Sequence, residues 1–243
     1  MSPEAGPGPA RPAALPRTVL VLAPMAVELQ PLARRLRLRR DRRTGDWSGT
    51  VGATRVVLMR AGVGTARARR VAELGIRDHR PDHVVVAGVA GGLGESLPLA
   101  SLVVPAVVHD IDDGTRHVAA PLGAVVPEGA LVTSATMHGW DVLAPHAGAG
   151  ALAVDMETSA VAAVCEHHAV PWTAVRALSD LVREGQVDAG TLALVREDGS
   201  TDLAAVARYL ARRPSRVVGM ARMGRDTATA TAAVADTLAR ALA

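Results

Sequence analysis

Lysine and phenylalanine are absent from this sequence, and cysteine occurs once. With Cys165 alone, no disulfide can close within the chain, so a reducing compartment, the cytoplasm, is expected. Cys165 sits in an apolar helical stretch and reads as an inert core thiol rather than a nucleophile. Aromatics make up 2% of the chain, so any side chain that stacks on a flat ligand must be Trp47, Trp140, Trp172, Tyr209 or a histidine. No apolar run approaches the length of a membrane span, and no basic start followed by a hydrophobic stretch marks a secretory signal. The formal charge is +3 with a pI near 10.2, but a basic stripe interleaved with aromatics is missing, which argues against nucleic-acid binding. A dinucleotide fingerprint is not met, because Leu97 stands where the third glycine after Gly92-Leu-Gly94 belongs. The eight histidines are scattered, and His167-His168 has no carboxylate or thiol partner at ligand spacing, so neither a metal nor an organic cofactor is expected.

What remains is a globular balance: 243 residues, 49% apolar and 21% charged, with a core drawn from Ala, Val and Leu. Residues 1–17 hold Pro3, Pro7, Pro9, Pro12 and Pro16 and read as a disordered leader, with one domain over 18–243 and a helical segment over 200–243. Thr18 to Ala23 is a short apolar run suited to a buried strand, followed by a helix with Leu29, Leu32 and Leu36 at helical spacing. A strand within Val51–Met59 pairs with 46–50 as a hairpin, and Thr65 is expected to cap a helix running to about Gly75. Further strands are expected at Pro81–Gly88, ended by a turn at Gly91-Gly92, and at Leu102–Val108, Leu131–Ser134 and Pro171–Leu178. Helices are expected at Asp155–His168, at Asp202–Arg212 and from Pro214 onward. Strands alternate with helices and lack the polar alternation of half-exposed sheets, which predicts an α/β fold whose central sheet is covered on both faces.

Four segments fall at strand ends, where open α/β sheets place ligands. Glu28 lies in the first turn of a helix after the first strand, a position also suited to a surface acid that favours the helix dipole. Ala87 to Gly94 is rich in glycine, which lets backbone N–H groups approach a ligand but also fits a plain tight turn. Asp155-Met156-Glu157 puts carboxylates at a strand-to-helix junction, where they can accept hydrogen bonds from adjacent sugar hydroxyls or merely begin a helix. Val175 to Asp180 is an apolar strand that delivers Ser179 and Asp180 to its rim. A carboxyl group shielded there keeps its neutral form and can give a proton to a leaving group; the alternative is a turn cap.

Their order and spacing resemble the 5′-methylthioadenosine/S-adenosylhomocysteine nucleosidases and the wider nucleoside phosphorylase superfamily. The matching pieces are Met25-x-x-Glu28, Ala61-Gly-Val-Gly64, Pro81-Asp82, Ala90-Gly-Gly-Leu93, Val103-Val-Pro105, His109-Asp110, Asp155-Met-Glu157, Val170-Pro171 and Arg176-Ala-Leu-Ser-Asp180, over about residues 18–185. The resemblance implies a three-layer α/β/α fold with a mixed, twisted, partly barrel-like sheet. It implies hydrolysis of a purine nucleoside, with Asp180 protonating the base and Glu28 activating water. Ser179 would hold Asp180, Glu157 would grip the ribose hydroxyls, Met156 would pack on the sugar, and Asp155 would be among the substrate-binding residues. Val89, Ala90 and Gly91 would line the site, and His138 would stand where an aromatic commonly stacks on the base. Val89 departs from the usual serine.

The resemblance further implies a homodimer, although the stretch between His109-Asp110 and Leu131 is short and points to a more open 5′ end. The shortened middle, and Asp198 to Leu203 with Arg212-Arg-Pro214 and the long Arg/Ala-rich tail, look like the hopanoid-associated nucleosidases that act on adenosylhopane. A phosphorylase using Arg60 or Arg67, a futalosine-type hydrolase and a non-catalytic nucleoside-binding protein are the other readings.

Overall fold

The computed structural model describes residues 15–94, 97–185, 190, 194–196, 198–212 and 217–243. The expected leader falls outside them except for Leu15–Arg17, and so does the expected helix start at Pro214. Pro16 and Arg17 are hydrogen-bonded to the residues of a following strand. The Thr54 hydroxyl donates to the Pro16 carbonyl at 2.8 Å and the Arg55 N–H to that of Arg17 at 2.8 Å, so these residues are already held by the sheet.

The strands are β1 (Thr18–Ala23), β2 (Arg39–Arg40), β3 (Trp47–Val51), β4 (Thr54–Arg60), β5 (His83–Gly92), β6 (Leu102–Val103), β7 (Val107–Asp110), β8 (Arg116–Val118), β9 (Ala130–Thr133), β10 (Ala151–Asp155) and β11 (Trp172–Leu181). The helices are α1 (Ala26–Arg35), α2 (Thr65–His79), α3 (Trp140–Gly148), α4 (Thr158–His167), α5 (Leu203–Arg212) and α6 (Val217–Ala241). All the strands join one mixed sheet, ordered β2-β3-β4-β1-β5-β10-β9-β7-β8, with β11 paired to β5 and β6. The long strand β5 organises it. Val84–Val86 lie beside β1, Gly91–Gly92 pair instead with β10 in the antiparallel sense, and β11 runs along the other edge of β5 throughout. This change of neighbour curls the sheet.

Side chains on the two faces of the sheet build two cores. Val19, Val21 and Ala23 face Leu29, Leu32 and Leu36 of α1 and its following turn, and Val234 and Leu238 of α6. Leu20 and Leu22 face Ala68, Ala72 and Ile76 of α2, and Val161, Val164 and Cys165 of α4. Three layers result. At about 25 cal/mol per Å² of apolar area, burial of these aliphatic side chains supplies the main driving force for folding.

Several elements differ from the sequence expectations, each for a local reason. The expected strand Leu102–Val108 is two strands, because Pro105 has no N–H to offer a ladder. Strand β5 passes through Gly91-Gly92 instead of turning there. Helix α2 continues past Gly75 to His79 because its apolar stripe continues to Ile76, and Gly64 rather than Thr65 precedes its first turn. Asp155 ends β10 and does not begin a helix. Its Oδ1 accepts the N–H groups of Glu157 and Thr158, so α4 starts at Thr158. Asp202 caps α5 by accepting the Ala205 N–H at 2.9 Å. Strands β2 and β8 and helix α3 were not expected, and β10 only through the strand end placed at Asp155. No described helix is long and apolar enough to cross a membrane.

Candidate active site

Glu28 is three residues beyond the end of β1's turn, yet its side chain is fully buried. Its carboxylate folds back over the first turn of α1. One oxygen accepts the Met25 N–H at 2.7 Å, and the other accepts the Val89 N–H of β5 at 2.8 Å. The surface, dipole-stabilising role that its helix position allowed is therefore not the one it has. Burial raises its pKa to about 7 against the opposing pull of Arg176 and the two backbone donors.

Glu157 stands at the junction of β10 and α4. It accepts the Gly64 N–H at 3.0 Å and faces Arg176 Nη2 at 3.3 Å. It too is buried, and burial carries its pKa to about 7. Ser179 and Asp180 sit where the β11–β5 register shifts between Leu178 and Asp180. A bulge there re-aims side chains that a regular strand would send to opposite faces. The Ser179 hydroxyl donates to Asp180 Oδ1 at 2.7 Å, but burial outweighs that bond and raises the Asp180 pKa.

These three acids line a single cavity of about 620 Å³, within the range of small-molecule sites. Met156, Val89, Ala90, Gly91, His138, Asp155 and Ser179 line it as well, so the residues expected in a nucleosidase site border the same space, whereas Arg60 and Arg67 do not. His138 Nε2 lies 3.3 Å from the Thr136 hydroxyl. Both oxygens of Asp155 are also tied to the protein. Its Oδ1 accepts from the Thr133 hydroxyl at 2.7 Å and from two N–H groups, and its Oδ2 accepts from the Thr158 hydroxyl and from Arg176 Nη2. Its lone pairs are committed to protein donors, leaving none for a sugar.

Two sets of residues escaped the sequence reading. Arg176 is fully buried in the middle of β11, and a charge inside an apolar strand was the available signal. Burial opposes its charge, yet Asp155, Glu157 and Glu28 together raise its pKa. The second set is the apolar wall of the cavity. Val27, Pro31 and Arg34 present one face of α1, and Met220, Met223, Gly224, Thr227 and Ala228 one face of α6. Five of the chain's seven methionines border this cavity. Leu194, Val195 and Thr201 close it from a loop that lies against the β1–α1 turn. There the Ala26 N–H donates to Gly199 O at 3.0 Å, and Gly199 takes φ +75° with its α-carbon against Pro24, a position with no room for a side chain.

The fold has close parallels among solved structures. The 5′-methylthioadenosine/S-adenosylhomocysteine nucleosidase of Neisseria meningitidis, in complex with methylthio-immucillin-A, aligns over 93% of this chain and 98% of its own, at 20% identity and a TM-score of 0.66. The 5′-methylthioadenosine nucleosidase of Arabidopsis thaliana aligns over 94% and 95% at 18% identity, TM-score 0.69. The futalosine hydrolase of Helicobacter pylori aligns over 93% and 97% at 16% identity, TM-score 0.68. At such identities the likeness establishes the nucleoside phosphorylase-like architecture. The phosphorylase superfamily model matches residues 18–138 and 116–212, a span that includes Glu28, Glu157 and Asp180, and the chain belongs to that superfamily.

Proposed function

We propose that the chain hydrolyses the N-glycosidic bond of a 5′-substituted purine nucleoside, releasing adenine. The observation that carries this reading is the burial of Glu28, Glu157 and Asp180 around one cavity. Departure of a purine needs a proton on the base and charge stabilisation at the sugar, and the two ends of the site divide that work. Asp180, whose neutral form burial favours and whose carboxyl Ser179 holds, protonates the base. Glu28, poised near neutrality, accepts a proton from the attacking water. Glu157 takes the ribose hydroxyls, Met156 packs on the sugar and His138 lies against the base. An oxocarbenium-like transition state gains from the nearby carboxylates, as in glycoside hydrolysis by paired acids.

Water is the acceptor in this reading. Two buried acids repel a phosphate dianion, and Arg60, a candidate phosphate ligand, is held by Asp198 at 3.1 Å. The wall from α1 and α6 supports an apolar 5′ group, whether short as in methylthioadenosine or bulky as in adenosylhopane, since methionines adapt to irregular shapes. The single buried thiol supports a cytoplasmic setting, and the resemblance to the nucleosidases supports a homodimer.

The deciding assay incubates the full chain with 5′-substituted adenosines and futalosine, with and without phosphate, and measures free base. Release from an adenosine at equal rates in both conditions is the expected result. Strict phosphate dependence would make it a phosphorylase, preference for futalosine a futalosine-type hydrolase, and binding without release a nucleoside-binding protein.

A further inference from the structure

We infer that Asp155 is a positioning residue that captures Arg176, and so keeps the guanidinium from neutralising Glu28 and Glu157. This deepens the nucleosidase reading, on which its kinetic arm rests.

The geometry is a competition for one buried cation. Arg176 Nη2 lies 2.5 Å from Asp155 Oδ2 but 3.3 Å from Glu157 Oε2. The same nitrogen donates to the Thr158 hydroxyl at 3.2 Å, while Nη1 points at the Val89 carbonyl at 3.4 Å. Glu28 Oε1 and Arg176 Nη1 both crowd the point where a β-carbon on Gly88 would stand, 2.4 and 3.0 Å from it. Asp155 is fixed by Thr133, by the N–H groups that open α4 and by Thr158, so it cannot release the cation without breaking that turn.

Three buried carboxylates thus share one buried guanidinium. A buried surplus of negative charge is relieved by holding protons. Of the three, Asp155 has the shortest contact with the guanidinium and the most hydrogen-bond donors around it. The proton falls to Glu28 and Glu157, the pair that faces the cavity. The other ionisable groups lining that cavity are Arg34 from α1, His138 and Asp180.

The test is the pH profile of kcat/KM in Asp155→Asn, Arg176→Met and the double variant. With Asp155→Asn the whole charge of Arg176 bears on Glu28 and Glu157, and the acid limb should move down by about one pH unit or more. Arg176→Met should move it up, and the double variant should return it toward the parent. An acid limb unmoved in Asp155→Asn overturns the inference, as does a large rise in KM with the limb in place, which would make Asp155 a sugar ligand. Infrared titration of buried carboxyl groups, in the parent and in single carboxamide variants, gives a second measurement that does not need turnover. Just below neutrality it should show protonated carboxyl bands that disappear singly in Glu28→Gln and Glu157→Gln. A protonated band at that pH that survives both substitutions and disappears only in Asp155→Asn overturns the inference. If no nucleoside is cleaved, the functional reading fails while the infrared result still decides this one.

Discussion

The carboxylate of Glu28 lies directly against the α-carbon of Gly88, so that a β-carbon built on Gly88 would fall 2.4 Å from Glu28 Oε1 and 3.0 Å from Arg176 Nη1. The glycine is what allows an acid from α1 to enter the sheet and bond the Val89 N–H. Gly88→Ala is expected to displace Glu28, cost several kcal/mol of stability in the manner of core overpacking, and reduce kcat/KM far more than an alanine elsewhere in β5. Thermal unfolding and steady-state kinetics of the one variant check both effects.

Asp180→Asn keeps the shape of the side chain and removes the proton to be donated. A loss of about 10²–10⁴ in kcat is expected, with ligand affinity close to that of the parent. Turnover and calorimetric binding measured together distinguish this from a collapsed site. Unchanged turnover would remove Asp180 from the mechanism.

Glu157 holds its proton in the folded state up to about pH 7, against an ordinary value of 4.5. The native state therefore binds more protons than the unfolded chain between those values, and stability falls as pH rises through that window. Glu157→Gln escapes the penalty. Its advantage over the parent should be small below pH 4.5, grow through the window, and level off above about pH 7 at roughly 3 kcal/mol. Denaturant unfolding at several pH values measures it, and greater stability with lost activity is the expected pairing.

Met220 and Met223 face the cavity from the first half of α6. Met223→Glu places a charge on that wall. It should raise KM for adenosines with an apolar 5′ group by tenfold or more, and change KM for adenosine itself little. Equal effects on both substrates would show that the 5′ group lies elsewhere.

Much of the architecture was legible in the linear chain, because its signals are local. Continuous apolar runs without polar alternation marked strands buried on both faces, and the spacing of Leu29, Leu32 and Leu36 marked the inner stripe of α1. The acids at strand ends were visible for the same reason, and so was the sequential order of motifs that identified the superfamily. Tertiary structure alone decided which groups each of those acids is bonded to. Glu28 and a solvent-exposed acid in a first helical turn look alike until β5 is laid across it, and Asp155 and Glu157, two residues apart, part ways only when Arg176 arrives from a distant strand. The methionine wall lay still further from view, since α6 meets α1 only after the whole sheet has formed between them in sequence. Periodicity is carried by neighbours along the chain. Burial, and with it the protonation of a carboxyl group, is set by neighbours in space.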